Sequence, residues 1–368
     1  LQGYYDFFFF FSDSFDQAVR ISVEGEAGVS PEMKSKGIKL EASVGTATRY
    51  FAFNWLDPVV GGGQIDAAGR ERARKLRQAI SIALDWEEFI SIFANGRGIP
   101  GQGPVPPGIF GFRTGGDGIN PIVYDWADAV PRRKSIEAAK KLLAEAGYPD
   151  GREAKSGQPL VLYLDTTDRG PGDKPRLDWY RKQFAKLDVQ LEIRGTDYNR
   201  FQEKVRKGAA QIFVWGWNAD YPDAENFLFL FHGAQSRAKF QGENAANYAN
   251  PEYDRLFEQV KHMENGPARQ ALIDRMLAIL REDAPWSFGF HPKDYSLHHD
   301  WVANLKPNNM ARNGLKYQKI DAARREDLRA EWNRPVLWPL GLLAVVLAVS
   351  AAPAVVGWRR REQSKGRA

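Results

Sequence analysis

The sequence contains no cysteine. Disulfides, thiolate metal sites and cysteine nucleophiles are therefore excluded, although a cysteine-free chain is compatible with any compartment. Histidine is scarce as well: His232, His262, His291, His298 and His299 are the whole supply. None sits at HExxH or comparable metal spacing, and His298 and His299 would point to opposite sides of a strand. No GxSxG nucleophile elbow occurs. The many carboxylates lie mostly on amphipathic helices, where solvated faces account for them. The expectation is a protein with no catalytic residues, no bound metal and no cofactor.

A basic groove is also missing. The formal charge of +5 resolves on inspection into a tail, because Arg359, Arg360, Arg361, Lys365 and Arg367 stand against Glu362 for a net of +4, leaving about +1 for everything before Trp358. A nucleic-acid partner is not expected from that balance. The loop carrying Gly96, Gly98, Gly101, Gly103, Pro104, Pro106 and Pro107 reads as irregular, since neither helix nor central strand tolerates that density. It lacks the following Lys-Ser/Thr that a phosphate cradle requires.

What is present is ordinary globular material. A chain of 368 residues, 43% hydrophobic and 26% charged, is long enough for two domains with substantial cores. It starts at Leu1 without a basic, then apolar, leader pattern, and its first residues read as the interior of a folded unit, so the expectation is the rear portion of a longer protein. Pro335 to Trp358 carries no charged residue. That stretch meets the roughly 20-residue requirement for crossing a bilayer, with Trp338 and Trp358 as interfacial anchors. Positive-inside logic places Arg359 to Ala368 in the cytoplasm and the globular part outside.

Along the chain, Tyr50-Phe51-Ala52-Phe53-Asn54 reads as a strand, and Phe7 to Phe11 as a buried one. Pro58 and Gly61-Gly62-Gly63 suggest a boundary or mobile connection. Ala73, Leu76, Ile80 and Ala83 recur at helical spacing, and Asp85 with Glu88 forms a capping-box-like start for a second helix. Ser135 caps a helix over Ile136 to Ala146 that Gly147 stops. Next come a strand at Leu160 to Leu164, a helix at Lys174 to Leu187, a strand at Val189 to Ile193, a helix started by Asp197, and a strand at Gln211 to Trp215. This βαβαβ order implies a parallel or mixed sheet covered by helices, with ligands beyond the carboxyl ends of strands. Asn250-Pro251 and Pro267 open two further helices, Pro285 to Phe290 returns as a strand, and Asp321 to Asn333 reads as a charged helical stalk.

Trp215-Gly216-Trp217-Asn218-Ala219-Asp220 delivers two indoles and a carboxylate together just past one such strand end, which suits an amine with an apolar neighbour. Trp215 and Trp217 share a face if extended, and Trp217 is the better pocket candidate because the chain is read as having left the strand there. Asp220 has a competing reading as a turn or helix-cap residue, with Asp223 the better cap.

Five motifs, in this order and spacing, carry a resemblance: Tyr50 to Asn54, RKLRQAISIALD (Arg74 to Asp85), AKKLLAEAGY (Ala139 to Tyr148), GWNADYPD (Gly216 to Asp223) and NYANPEYDRL (Asn247 to Leu256). The chain resembles the peptide/nickel class of extracellular solute-binding proteins, which feed ABC importers and include oligopeptide- and dipeptide-binding proteins. The resemblance covers most of Tyr50 to Asp321. It implies an α/β, two-lobed periplasmic-binding-protein-like fold whose first lobe is incomplete here, plus one C-terminal transmembrane helix. Residues 1–65 would be a remnant of the first lobe, 66–286 the inserted ligand-binding lobe, 287–321 return strands, 322–334 a stalk, 335–358 the membrane helix and 359–368 a basic cytoplasmic tail.

The resemblance also implies that Asp220 pairs with a peptide α-ammonium while Trp217 and Tyr198 help wall side-chain pockets; Trp215 and Asn218, from the same run of sequence, complete the candidate ligand-binding set. Chemistry agrees, since an enclosed carboxylate makes a charge-assisted hydrogen bond with an ammonium. One departure stands out: some peptide-binding relatives carry an arginine three residues before the tryptophan, for the ligand carboxylate, and this chain has Val214. The expected partners are a peptide or similar small solute, the permease subunits of an ABC transporter, and the inner membrane bordering a bacterial periplasmic space. An oligosaccharide ligand, stacking on Trp215 and Trp217, and a membrane-anchored solute sensor remain alternatives.

Overall fold

The computed structural model describes residues 2–9, 15, 18–21, 27–62, 66–168, 170–305, 310 and 313–365. Phe10, Phe11, Gly63 and residues 366–368, part of the readings above, lie outside that set.

The centre is the strand Ala47–Phe53, in which every side chain but that of Arg49 is buried. Alternation explains why Tyr-Phe-Ala-Phe has no polar member: Phe51 and Phe53 enter one core with Leu76, Ile80, Trp86, Tyr180 and Phe184, while Tyr50 and Ala52 enter another with Phe213, Phe227, Phe231, Tyr248 and Trp286. A strand covered on both faces cannot alternate apolar with polar. Each fully buried Phe contributes roughly 1.5–3 kcal/mol, and the Tyr50 and Trp286 rings stack with centroids 3.3 Å apart.

Around this strand an eight-stranded mixed sheet forms among the described residues. Ile212–Asn218 pairs antiparallel to Ala47–Phe53 and parallel to Val161–Thr167, which pairs in turn with Gln190–Thr196 in parallel. The helices Lys174–Ala185 and Tyr198–Arg206 supply the crossovers. Caps set the helix starts: Asp85, Ser135, Asp197 and Asn250 each accept a backbone N–H of the first turn.

Several boundaries differ from the sequence reading. The strand read as ending at Trp215 continues to Asn218, because its partner extends back to Ala47 and keeps the ladder closed. The returning strand runs Trp286–His299, well past Phe290, pairing successively with Ala47–Phe53, Gly98–Pro100, Ile38–Val44 and Phe7–Phe9. Gly98–Pro100 is thus a short strand inside the loop read as irregular. A bulge at Gly289 lets the returning strand change partners; a Cβ there would lie 2.4 Å from the Arg49 carbonyl oxygen. Gly61 and Gly62 are buried in a hydrogen-bonded turn against Trp55 and Asp57. A short helix, Pro31–Ser35, capped by Ser30, sits in a segment without helical periodicity.

At the C-terminus, Ala322–Trp332 is a helix capped by Asp321, held to the body by Arg324 with Asp300, Arg325 with Asp6 at 3.3 Å, and an Asn333 amide donating to the Gln2 carbonyl at 2.9 Å. Trp332 packs on Trp301, which stacks on His299 at 3.9 Å. The last helix, Trp338–Lys365, starts three residues later than the apolar stretch and continues through the basic cluster. Its segment Trp338–Gln363 is long and apolar enough to cross a membrane, and none of it is buried against the body.

Candidate ligand-binding site

At the carboxyl end of Ile212–Asn218 a cavity of about 720 Å³ opens. Trp215, Trp217, Asn218, Asp220 and Tyr198, the five residues singled out from the sequence, all line it, together with Arg49, Thr167, Phe201, Gln202, Arg237 and Glu243. Trp215 and Trp217 lie on one face of the strand because Gly216 alternates between them, so Trp217 lies inside the strand rather than beyond it.

The two indoles are held differently. Trp215 packs against Phe201 at 5.3 Å and Phe213 at 6.2 Å, and the Arg237 guanidinium lies over it at 5.6 Å. Arg237 is neutralised by Glu243 at 2.6 Å. Trp217 meets Phe229 edge-on at 5.5 Å and donates its Nε1–H to Asn226 Oδ1 at 3.1 Å. The same oxygen accepts the Asp220 N–H at 2.9 Å, and the Asn226 amide reaches Asp220 Oδ2 at 3.4 Å. Buried Asn226 therefore orients both candidate binding residues.

Asp220 itself is exposed, and among the described residues its carboxylate has no basic partner within salt-bridge distance. It does not cap the Glu225–Leu228 helix; Asp223 accepts the Glu225 N–H at 2.8 Å. Asp223 also clasps the buried Arg269 through bonds of 2.7 and 2.8 Å. Burial by itself raises the Asp223 carboxyl, but those bonds prevail and hold it below the usual carboxylate value. Tyr198, first in its helix, is 59% exposed and forms part of the rim.

Arg49 is the site residue that sequence reading missed. Its side chain crosses the neighbouring strand, donating to the Thr48 carbonyl at 3.1 Å, the Trp217 carbonyl at 3.4 Å and Asn218 Oδ1 at 3.1 Å. Gly216 makes the room, since a Cβ there would lie 2.8 Å from Arg49 Cδ and Nη1. Only the pairing of Arg49 with Gly216 reveals this, and pairing is invisible along the chain. Val214 lines the cavity as well and packs with the core on the side of Phe51 and Ile212.

None of the five histidines lines the cavity, and among the described residues no three His, Asp or Glu side chains converge as a metal site. A second cavity of about 580 Å³ adjoins Trp55 and Asp283. Its charged groups are already engaged: Arg77 donates to the Asp283 and Val60 carbonyls and Arg74 pairs with Glu71 and Glu282.

With this geometry in place, likeness to known proteins is informative. Heme-binding protein A of Haemophilus influenzae is 28% identical over 224 residues, 59% of this chain and 37% of that protein. Di/tripeptide-binding protein 2 of Pseudomonas aeruginosa is 25% identical over 250 residues, 67% of this chain and 43% of that protein. The chain thus spans less than half the length of these two relatives. The structure of the oligopeptide-binding protein AppA from Bacillus subtilis, in complex with a nonapeptide, superposes with a TM-score of 0.61 at 18% identity, covering 87% of this chain and 57% of that one. That likeness shows a periplasmic-binding-protein α/β fold. The model of the bacterial extracellular solute-binding proteins, family 5 Middle, matches residues 17–239, more than half of the sequence, and the chain belongs to that family.

Proposed function

We propose that this protein is the substrate-binding component of an ABC importer, capturing short peptides in the cavity between Trp217, Trp215, Asp220 and Tyr198 and delivering them to the permease. The observation that carries the reading is an exposed, unneutralised Asp220 carboxylate set beside two indoles at a strand's carboxyl end. An α-ammonium supplies the missing charge, and its neighbouring side chain meets the aromatic wall. Relatives named for di- and tripeptides support the ligand class. On this reading 66–286 forms one lobe and 1–65 with 287–321 contributes to the other, closure over the ligand shifts an open/closed equilibrium, and no residue does catalysis. The Trp338–Gln363 helix holds the protein at the inner membrane, with the cavity on the periplasmic side.

The test is calorimetric titration of the intact protein with alanyl-phenylalanine and with its N-acetyl form. A charge-assisted hydrogen bond contributes about 1.5–3 kcal/mol, so the free amine should bind at least ~10-fold more tightly, and Asp220→Asn should erase most of that ratio. An unchanged ratio removes Asp220 from the site. Binding of haemin but of no peptide would move the ligand class to that of the Haemophilus relative.

A further inference from the structure

Two passages of chain run between a small core and the two large ones. Ile38 and Leu297 pack in the small core with Phe15 and Met33, whereas Phe51, Phe53 and Trp286 pack in the large ones. The passages are Val44 to Ala47 and Phe290 to Lys293, tied side by side by the Gly45 N–H, which donates to the Pro292 carbonyl at 2.7 Å. Here the ladder between the strands breaks. Phe53 donates its N–H to the Pro285 carbonyl, and bonded positions alternate along an antiparallel pair; past the Gly289 bulge, where Phe290 faces Arg49, the next bond would run from residue 292 to the Ala47 carbonyl. Residue 292 is proline and has no N–H to give. The His291 ring supplies the donor instead, its Nδ1 bonding that carbonyl at 3.0 Å. The imidazole is fully buried, with Phe112 edge-on at 6.5 Å, and among the described residues its Nε2 has no partner. An apolar ring would avoid leaving that nitrogen bare, so what the position gains from histidine is the Ala47 bond. The Thr46 carbonyl, one residue earlier, accepts the N–H of Ala219, the neighbour of Asp220, at 2.8 Å.

We propose that His291 is the pin of the joint between the lobes: one side-chain bond takes the place of a ladder bond at the strand crossing, holding the two passages together while leaving them room to turn. The inference rests on the two-lobed reading above, with the passage between lobes placed at these crossings. A continuous ladder holds strand against strand within a narrow range of twist, whereas a lone imidazole bond fixes one distance and leaves more angular freedom. Hinges are a few element-terminal residues that absorb the backbone rotation of closure. Ala47 is the first residue of its strand, and the bulge lies two residues from His291. Because Thr46 is bonded to Ala219, the joint adjoins the loop that carries Asp220, and rotation about it changes where the smaller core stands relative to that carboxylate.

The absence of cysteine makes the test direct. Lys39→Cys with Glu192→Cys places one spin label on each side of the joint, and Lys141→Cys with Glu192→Cys places both on one side; these positions are exposed. Distances are read by pulsed electron spin resonance on the full chain, without ligand, in the parent protein, in His291→Phe, which keeps a ring but no donor, and in His291→Asn, whose amide keeps the donor. Across the joint, His291→Phe should broaden the distribution, with separations outside the parent range rising about fivefold for the loss of one hydrogen bond. His291→Asn should stay close to the parent, and the pair on one side should change in neither. Equal distributions for the parent and His291→Phe overturn the proposal. Broadening of His291→Asn to the same extent also overturns it, because the effect then belongs to ring packing. So does broadening of the pair on one side, which would make His291 a support of the large core rather than of the joint. No peptide enters the measurement, so a failure of the peptide reading leaves this result standing.

Discussion

Asn226 Oδ1 accepts the Trp217 indole N–H at 3.1 Å from beneath the floor of the cavity, and with its remaining lone pair takes the N–H of Asp220. One buried amide thus sets the position of an aromatic wall and of a carboxylate at once. Replacing it by Asn226→Leu leaves two donors without an acceptor, at a cost of about 1–3 kcal/mol. The expected outcome is faster amide exchange at Asp220 and weaker dipeptide binding in a protein whose helices are intact by circular dichroism. Unchanged exchange at Asp220 would show that the loop is held by something else.

Arg269 is almost wholly buried and depends on Asp223 for its counter-charge. Asp223→Asn strands the guanidinium, and stability should fall by about 3–5 kcal/mol in denaturant unfolding. The pH dependence follows from the depressed carboxyl. Its stabilisation is complete above the unfolded value of about 3.9 and is lost as pH falls through the lower, native one, so the wild type should lose this increment under acid and Asp223→Asn should not.

His291 behaves in the opposite range. It is fully buried, its Nδ1 donates to the Ala47 carbonyl at 3.0 Å, and burial lowers it to about 4. Between that value and the unfolded one near 6.5 the unfolded chain holds the extra proton, so acidification through this window destabilises the fold, by up to roughly 3 kcal/mol. His291→Asn keeps a donor for Ala47 and removes the titration. Its unfolding midpoint should be flatter from pH 6.5 to 4 than that of the wild type; an equal slope would assign the effect to other groups.

The readability of this chain depended on whether a signal was local. Asp85, Ser135, Asp197 and Asn250 announce their helices because a cap bonds within its own first turn. The 161–218 alternation is legible because each element carries its own periodicity. The hairpin of Tyr124–Ala127 and Val130–Arg133 is not, since its turn residues Asp128 and Ala129 take positive φ without the glycine that would mark it. Nor is the end of the strand at Asn218, or the 14-residue returning strand Trp286–His299, which contains Pro292: each length is set by partners far away in sequence. The same division runs through the cavity. The Trp-Gly-Trp-Asn-Ala-Asp run carries its chemistry on its face, whereas Arg49 acquires a role only through the strand beside it, and Asn226 only through the fold of the loop above it.

The clasp of Trp332, Arg324 and Asn333 on the body has a mechanical consequence. Only Asn333 to Leu337 separate that helix from the long apolar one. On the proposed membrane anchorage, those five residues span at most about 18 Å, so the body would be kept close to the bilayer surface. The length of that link would then limit how far from the bilayer the mouth of the cavity can stand.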